Sequence, residues 1–236
     1  MLQLGKRTAQ SLCPIGRKIV SLAIFDLDNT LLAGDSDYLW GEFLVEKGLV
    51  DGKAYRQTNE HFYQQYRDGC LDIAEFLHFA LKPLADHDPE ELYRWRDDFL
   101  QEKITPILLP NAFKAIEKHR QAGDLLIVIT ATNRFVTEPI VKLYGIEHLI
   151  ATSPEFRNGR YTGNFEGTPC FQAGKVQRLN EWMATGGYDL NNSWFYSDSH
   201  NDLPLLEKVS NPVAVDPDET LRRFALDNGW PVVSFR

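Results

Sequence analysis

The sequence predicts an α/β fold: a doubly wound parallel sheet of Rossmann-like type carrying an inserted all-helical cap. Three observations lead there. Short apolar runs rich in β-formers alternate with amphipathic helical stretches; one long stretch breaks the alternation with helices alone; and acidic clusters follow directly on two of the apolar runs.

Residues 1–18 match no element and are expected to form a loose leader. Basic residues (Lys6, Arg7, Arg17, Lys18) precede the apolar run Ile19 to Phe25, but that run is only about seven residues long and ends at Asp26. It suits a buried strand, with Val20 to Phe25 as the first central one, and neither a signal peptide nor a membrane span. From residue 34 to 105 four helical segments follow one another with no strand between them. Asp88-Pro89-Glu90-Glu91 opens one with an Asp cap, Pro at the first helical position and acids on the dipole; Tyr55, Phe62, Tyr63 and Tyr66 share a face of another. The alternation then resumes with helices at Ala112–Gln121, Phe135–Tyr144, Lys175–Ala184 and Glu219–Leu226. Strands are expected at Leu125–Thr130, His148–Thr152, Ser193–Tyr196 and Pro212–Val215. Asn158-Gly159, inside 155–162, predicts a tight hairpin. The α/β core is thus 19–33 with 106–236, and the cap 34–105.

Composition narrows the function. The chain has 236 residues, 43% of them hydrophobic, enough to bury a full core. With 33 acidic against 25 basic residues its formal charge is −8 and no Lys/Arg block interrupts the balance, which disfavours a nucleic-acid surface. An acidic protein that handles an anion needs local positive charge from a metal or a placed Lys. Three widely spaced cysteines, Cys13, Cys70 and Cys170, fit a reduced, cytoplasmic compartment.

The chemistry gathers at strand ends. In Phe25-Asp26-Leu27-Asp28-Asn29-Thr30, two carboxylates at spacing two point to one side of an extended chain while Leu27 points into the core. One can attack phosphorus while the other moves protons. A second cluster, Ser197-Asp198-Ser199-His200-Asn201-Asp202, also follows an apolar strand. In a parallel sheet both open on one edge, so Asp26, Asp28, Asp198 and Asp202 are expected to converge and to require a cation. All-oxygen ligands point to Mg²⁺. Thr130 at the end of a strand and Lys175 at the start of a helix complete an anion cradle. His200 reads as a solvated loop residue. The cap aromatics Trp40, Phe43, Phe62, Tyr66, Phe79 and Trp95 read as core packing, with one or two lining a pocket.

The order Asp26-x-Asp28, Thr130, Lys175, Asp198 and Asp202 resembles the four motifs of the haloacid dehalogenase-like superfamily, phosphatase branch, over the chain from about Ile19 onward. The resemblance implies that Asp26 is the nucleophile and Asp28 the acid/base. It also implies that Mg²⁺ is held by Asp26, the carbonyl of Asp28 and Asp198, with Asp202 ordering its water shell, and that Thr130 and Lys175 bind phosphate. Within the superfamily the chain is most similar to phosphoserine phosphatases and histidinol-phosphatase-like hydrolases. Asp35 matches an acidic cap residue that takes the substrate ammonium in the former. Thr130-Ala131-Thr132-Asn133 is more like the latter and brings Ala131 into the substrate-binding set. The implied activity is hydrolysis of a small phosphorylated metabolite through an aspartyl-phosphate, with histidinol phosphate or another amine-bearing ester as substrate. Phosphoserine hydrolysis and phosphotransfer to an alcohol are the near alternatives. A receiver-like signalling module would have no use for the second Asp or the cap, and a non-catalytic phosphate-binding module would not keep every catalytic position.

Overall fold

The structure, a computed structural model, describes residues 20–236. The expected leader at 1–18 and Cys13 lie outside them. Among the described residues eight strands form: β1 (Leu22–Phe25), β2 (Leu125–Ile129), β3 (His148–Ile150), β4 (Ser153–Arg157), β5 (Arg160–Glu166), β6 (Trp194–Ser197), β7 (Asn211–Val215) and β8 (Val232–Val233). Six of them make one sheet in the order β3-β2-β1-β6-β7-β8, every pairing parallel. The strand order reverses between β1 and β6, and in such sheets ligands bind beyond the carboxyl ends of the strands at that reversal. The register there sets Ile24 between Ile127 and Phe195. β8 lacks a sequence signal because two residues on a sheet edge need no apolar run.

Strand β1 is buried throughout, and its alternate side chains feed two cores. Leu22 and Ile24 pack with Ile127, Phe195, Leu179 and Leu221 on one face; Ala23 and Phe25 pack with Val128, Tyr196, Ile116 and Ile140 on the other.

The intervening segment folds as α1 (Ser36–Glu46), α2 (Gly52–Arg67), α3 (Ile73–Asp86) and α4 (Pro89–Phe99), prolonged by a π turn over Leu100–Ile104 and a 3₁₀ turn over Thr105–Ile107. An Asp caps each of the four: Asp35, Asp51, Asp72 and Asp88 accept backbone N–H groups of the first turn. The chain leaves and re-enters side by side, with Ala33 N–H on the Ile107 carbonyl (2.8 Å) and Leu109 N–H on that of Leu31 (3.2 Å). Trp40, Phe43 and Phe99 are buried against one another and join the core that holds Phe25. Each is worth about 1.5–3 kcal/mol of burial, so helices and sheet are held by one continuous apolar contact.

Helices α5 (Pro110–Ala122), α6 (Arg134–Leu143), α7 (Ala173–Gly186), α8 (Leu203–Leu206) and α9 (Glu219–Asp227) complete the layers. Strands β4 and β5 form the expected hairpin, with Asn158 (φ 51°) and Gly159 (φ 79°) both left-handed at its turn. It reaches the helical segment: Tyr161 Oη lies 3.2 Å from Tyr93 Oη, and the Phe165 ring lies 5.9 Å from that of His78.

Candidate active site

Asp26 is the first residue after β1, and its N–H donates to the Tyr196 carbonyl at 2.9 Å, which fixes it to the neighbouring strand. Leu27 is buried while Asp26 and Asp28 face the same pocket, as alternation along an extended chain requires. Asn29 then turns the chain with φ 56°.

Lys175 reaches Asp26 from α7. Gly174 lets it start there, since a Cβ at that position would sit 2.0 Å from the Pro169 carbonyl oxygen. Lys175 Nζ donates to Asp26 Oδ1 at 2.7 Å and to Asp202 Oδ2 at 2.8 Å, all three side chains being buried. Ser197 Oγ also donates to Asp202, at 2.7 Å. Burial works against the ammonium, yet Asp202 and Asp26 hold its pKa above the ordinary lysine value.

On the other side of Asp26 stands Thr30. Its hydroxyl accepts the Asp198 N–H (3.0 Å) and donates to Asp198 Oδ1 (3.1 Å), with Asp26 Oδ2 3.4 Å away. Burial, Asp26 and Asp202 push Asp198 well above the usual carboxylate range. Asp26 itself is pushed up to about 7 by burial; Lys175 opposes this while Asp202 and Asp28 add to it.

Asp28 is held from the helical side. Its Oδ1 accepts the Ser36 N–H at 2.6 Å, and its Oδ2 accepts the Thr132 hydroxyl at 2.7 Å, with Thr130 Oγ1 at 3.5 Å. Burial and the nearby Asp35 charge raise it to about 6 in spite of the Ser36 and Thr132 bonds. That is a serviceable value for a group that must give and retake a proton near neutrality. Thr130, Ala131 and Thr132 line the pocket below β2, and Asn133 caps α6 through its side chain.

The four carboxylates expected to converge are divided among different partners. They share the sheet edge, but Asp28 turns to α1 and Thr132, Asp202 is taken up by Lys175 and Ser197, and Thr30 links Asp26 with Asp198. Among the described residues no group of three or more His, Cys, Asp or Glu side chains is arranged to hold a metal ion. The donor set nonetheless fits a hard cation. Lys175 meets only Asp26 and Asp202 of the four acids, so negative charge is left over at the sheet edge, and Mg²⁺ commonly takes one or two carboxylates and fills its octahedron with water and phosphate.

Thr30, Ser197, Thr132 and Asp37 belong to the site and are given no role by the sequence reading. Thr30 and Ser197 are hydroxyls within four residues of expected acids, and Thr132 stands two residues from Thr130, spacings from which they could have been named. His200 stays outside the pocket, with Nδ1 on Asp218 Oδ2 at 2.8 Å. Its neighbour Asn201 ties the segments together: Nδ2 donates to the Tyr66 carbonyl (2.9 Å) while Oδ1 accepts from Gln172 (2.9 Å). Phe62 and Tyr66 line the pocket, whereas Trp40 and Phe43 pack the core. Asp35 lines the pocket and caps α1. No helix of the described residues is long and apolar enough to cross a membrane.

A histidinol-phosphatase of Neisseria meningitidis serogroup C (strain 8013) is 48% identical over 220 residues, spanning 92% of this chain and 99% of that protein. A crystal structure of a Bordetella pertussis Tohama I protein of unknown function superposes with a TM-score of 0.88 at 45% identity, over 93% of this chain and all of that one. A substrate-bound phosphoserine phosphatase shares the fold, with a TM-score of 0.68 at 16% identity over 93% of this chain and 95% of its own. The model of the haloacid dehalogenase-like hydrolases matches residues 23–207, and the chain belongs to that family.

Proposed function

We propose that this chain hydrolyses a small phosphomonoester through an aspartyl-phosphate on Asp26, with histidinol phosphate as its substrate. One observation carries the reading: a buried carboxylate paired with a buried lysine at the floor of a pocket, beside a second carboxyl group raised to about 6. The choice of histidinol phosphate is supported by the Neisseria relative, which is similar over nearly its whole length.

Asp26 attacks phosphorus; the new O–P bond forms as the ester P–O bond breaks, and Asp28 gives its proton to the departing alkoxide. Water then attacks the aspartyl-phosphate while Asp28 takes a proton from it, releasing inorganic phosphate and restoring Asp26. Lys175, Thr130 and the backbone at Ala131 hold the phosphoryl oxygens. Phosphatases of this family generally use Mg²⁺, and Asp26, the Asp28 carbonyl and Asp198 would hold it here, where it would neutralise phosphoryl charge and favour the ionised form of Asp26. Asp202, engaged by Lys175, orders the site from behind. The helices over residues 34–105 act as a cap that shuts out macromolecules and bulk water. A cytoplasmic enzyme acting on a free metabolite is the corresponding setting, supported by the reduced-cysteine composition.

The test is release of inorganic phosphate from histidinol phosphate, phosphoserine and phenyl phosphate, with Mg²⁺ and with EDTA. Turnover of histidinol phosphate with the highest kcat/KM, abolished by EDTA, is expected. No phosphate from any of the three would overturn the reading.

A further inference from the structure

The pocket above Asp26 is acidic and aromatic. Among the described residues that line it none is Lys, Arg or His, while Asp35 and Asp37 add two carboxylates to those of Asp26 and Asp28. The two added acids are engaged differently. Asp35 spends an oxygen on the α1 cap, accepting the N–H groups of Asp37 (3.0 Å) and Tyr38 (2.8 Å). Asp37 is only 9% exposed and lines the pocket, and among the described residues its carboxylate has no hydrogen-bond or ion-pair partner.

An acid in the first turn of a helix complements the dipole, but it does so equally well from the surface. Burying a carboxylate without a partner is costly, so a folded chain that does it has a use for the uncompensated charge. Burial and the charges of Asp35 and Asp28 push Asp37 well above the ordinary carboxylate range, as expected of an acid that lacks its counter-ion. Lining the same pocket are rings in two pairs, Tyr38 with Tyr63 (centroids 5.0 Å apart) and Phe62 with Phe76 (5.5 Å). Aromatic faces attract organic cations and stack flat rings.

We infer that Asp37 is the specificity-determining anion of the pocket: its carboxylate pairs with a protonated nitrogen of the substrate, an ammonium or imidazolium, while the four rings pack the carbon skeleton that carries it. The inference rests on the phosphatase reading above and deepens it by assigning the substrate class, a cationic phosphomonoester, to a named residue.

The experiment measures kcat and KM for histidinol phosphate and for phenyl phosphate, which has a ring but no cation, on the full chain and on D37N and D37E. Charge-assisted hydrogen bonds of this kind are worth about ten- to a hundredfold in binding. The ratio of kcat/KM for the cationic over the neutral ester should therefore fall by at least about tenfold in D37N, mainly through KM. D37E should recover part of it. An unchanged ratio in D37N, or an unaltered enzyme that prefers phenyl phosphate, would overturn the inference while leaving the phosphatase reading intact. If no ester is turned over, that reading fails, and calorimetric binding of histidinol, the cation without its phosphate, still reads the contact. Binding by the unaltered chain that is lost in folded D37N supports the inference; equal binding, or none to the unaltered chain, rejects it. Should D37N not fold, the two-ester preference of the unaltered enzyme and the D37E ratio decide.

Discussion

Lys175 Nζ lies 2.7 Å from Asp26 Oδ1, and the same ammonium also serves Asp202, so one buried cation is shared by two buried carboxylates from different segments of the chain. Removing one partner of a buried ion pair typically costs about 3–5 kcal/mol because the other charge is left uncompensated. Lys175→Met should destabilise by that order in urea unfolding and abolish turnover. The double variant Lys175→Met/Asp202→Asn should be more stable than Lys175→Met alone, since it relieves one stranded charge. Strict additivity of the two losses would contradict the shared-ammonium arrangement.

The raised carboxyl groups also set a pH dependence. Asp28 titrates at about 6 in the folded protein and near the ordinary value of about 3.9 in the unfolded chain. Between these values the folded state keeps a proton that the unfolded state has released, so this group lowers stability as pH rises through the window. In EDTA, the stability of Asp28→Asn relative to the unaltered protein should therefore climb from about pH 4 to about pH 6 and then level off. Parallel stability curves would exclude the raised value. Mg²⁺ at about 100 times its dissociation constant should add roughly 2.7 kcal/mol to the unaltered protein at pH 7.

Asp35 has two tasks that a single substitution confuses. As the α1 cap it accepts two backbone N–H groups, and its loss to Ala costs about 1 kcal/mol whatever the substrate. Asn caps as well as Asp does but carries no charge. Asp35→Asn should therefore melt close to the unaltered protein, whereas Asp35→Ala should melt several degrees lower. A rise in KM for histidinol phosphate that is shared by both variants would report the charge; one confined to Asp35→Ala would report the cap.

What the sequence discloses follows the reach of each physical signal. Val20 to Phe25 and Leu125 to Thr130 are legible because strands buried on both faces must be apolar throughout, and Asp26 just after the first of them stands out against that background. The hairpin is legible because Asn158-Gly159 tolerates two left-handed residues in succession. The partition of the acids is not legible, since it depends on which hydroxyl or ammonium each meets across 27 to 149 residues: Thr132 reaches Asp28, and Lys175 reaches both Asp26 and Asp202. Asp37 gives no signal at all, because an acid in the first turn of a helix is ordinary until its burial is seen.

The division of labour between Asp26 and Asp28 gives the sharpest test of the mechanism. Asp26 must be ionised to attack, and Lys175 works toward that; Asp28 must arrive protonated, and its burial beside Asp35 works toward that. Asp26→Asn removes the nucleophile and should abolish both turnover and any covalent phosphoryl-enzyme, whatever the leaving group. Asp28→Asn keeps the nucleophile but loses the acid that protonates the alkoxide and the base that activates water. With p-nitrophenyl phosphate, whose leaving group needs little protonation, Asp28→Asn should still form phosphoryl-enzyme and then stall. With an alkyl ester it should form almost none. General acid–base assistance of this kind is worth about 10²–10⁴-fold, so the contrast is large enough to read by rapid quench. Equal labelling of the two variants, or none in Asp28→Asn with the activated ester, would reverse the roles assigned to the two acids.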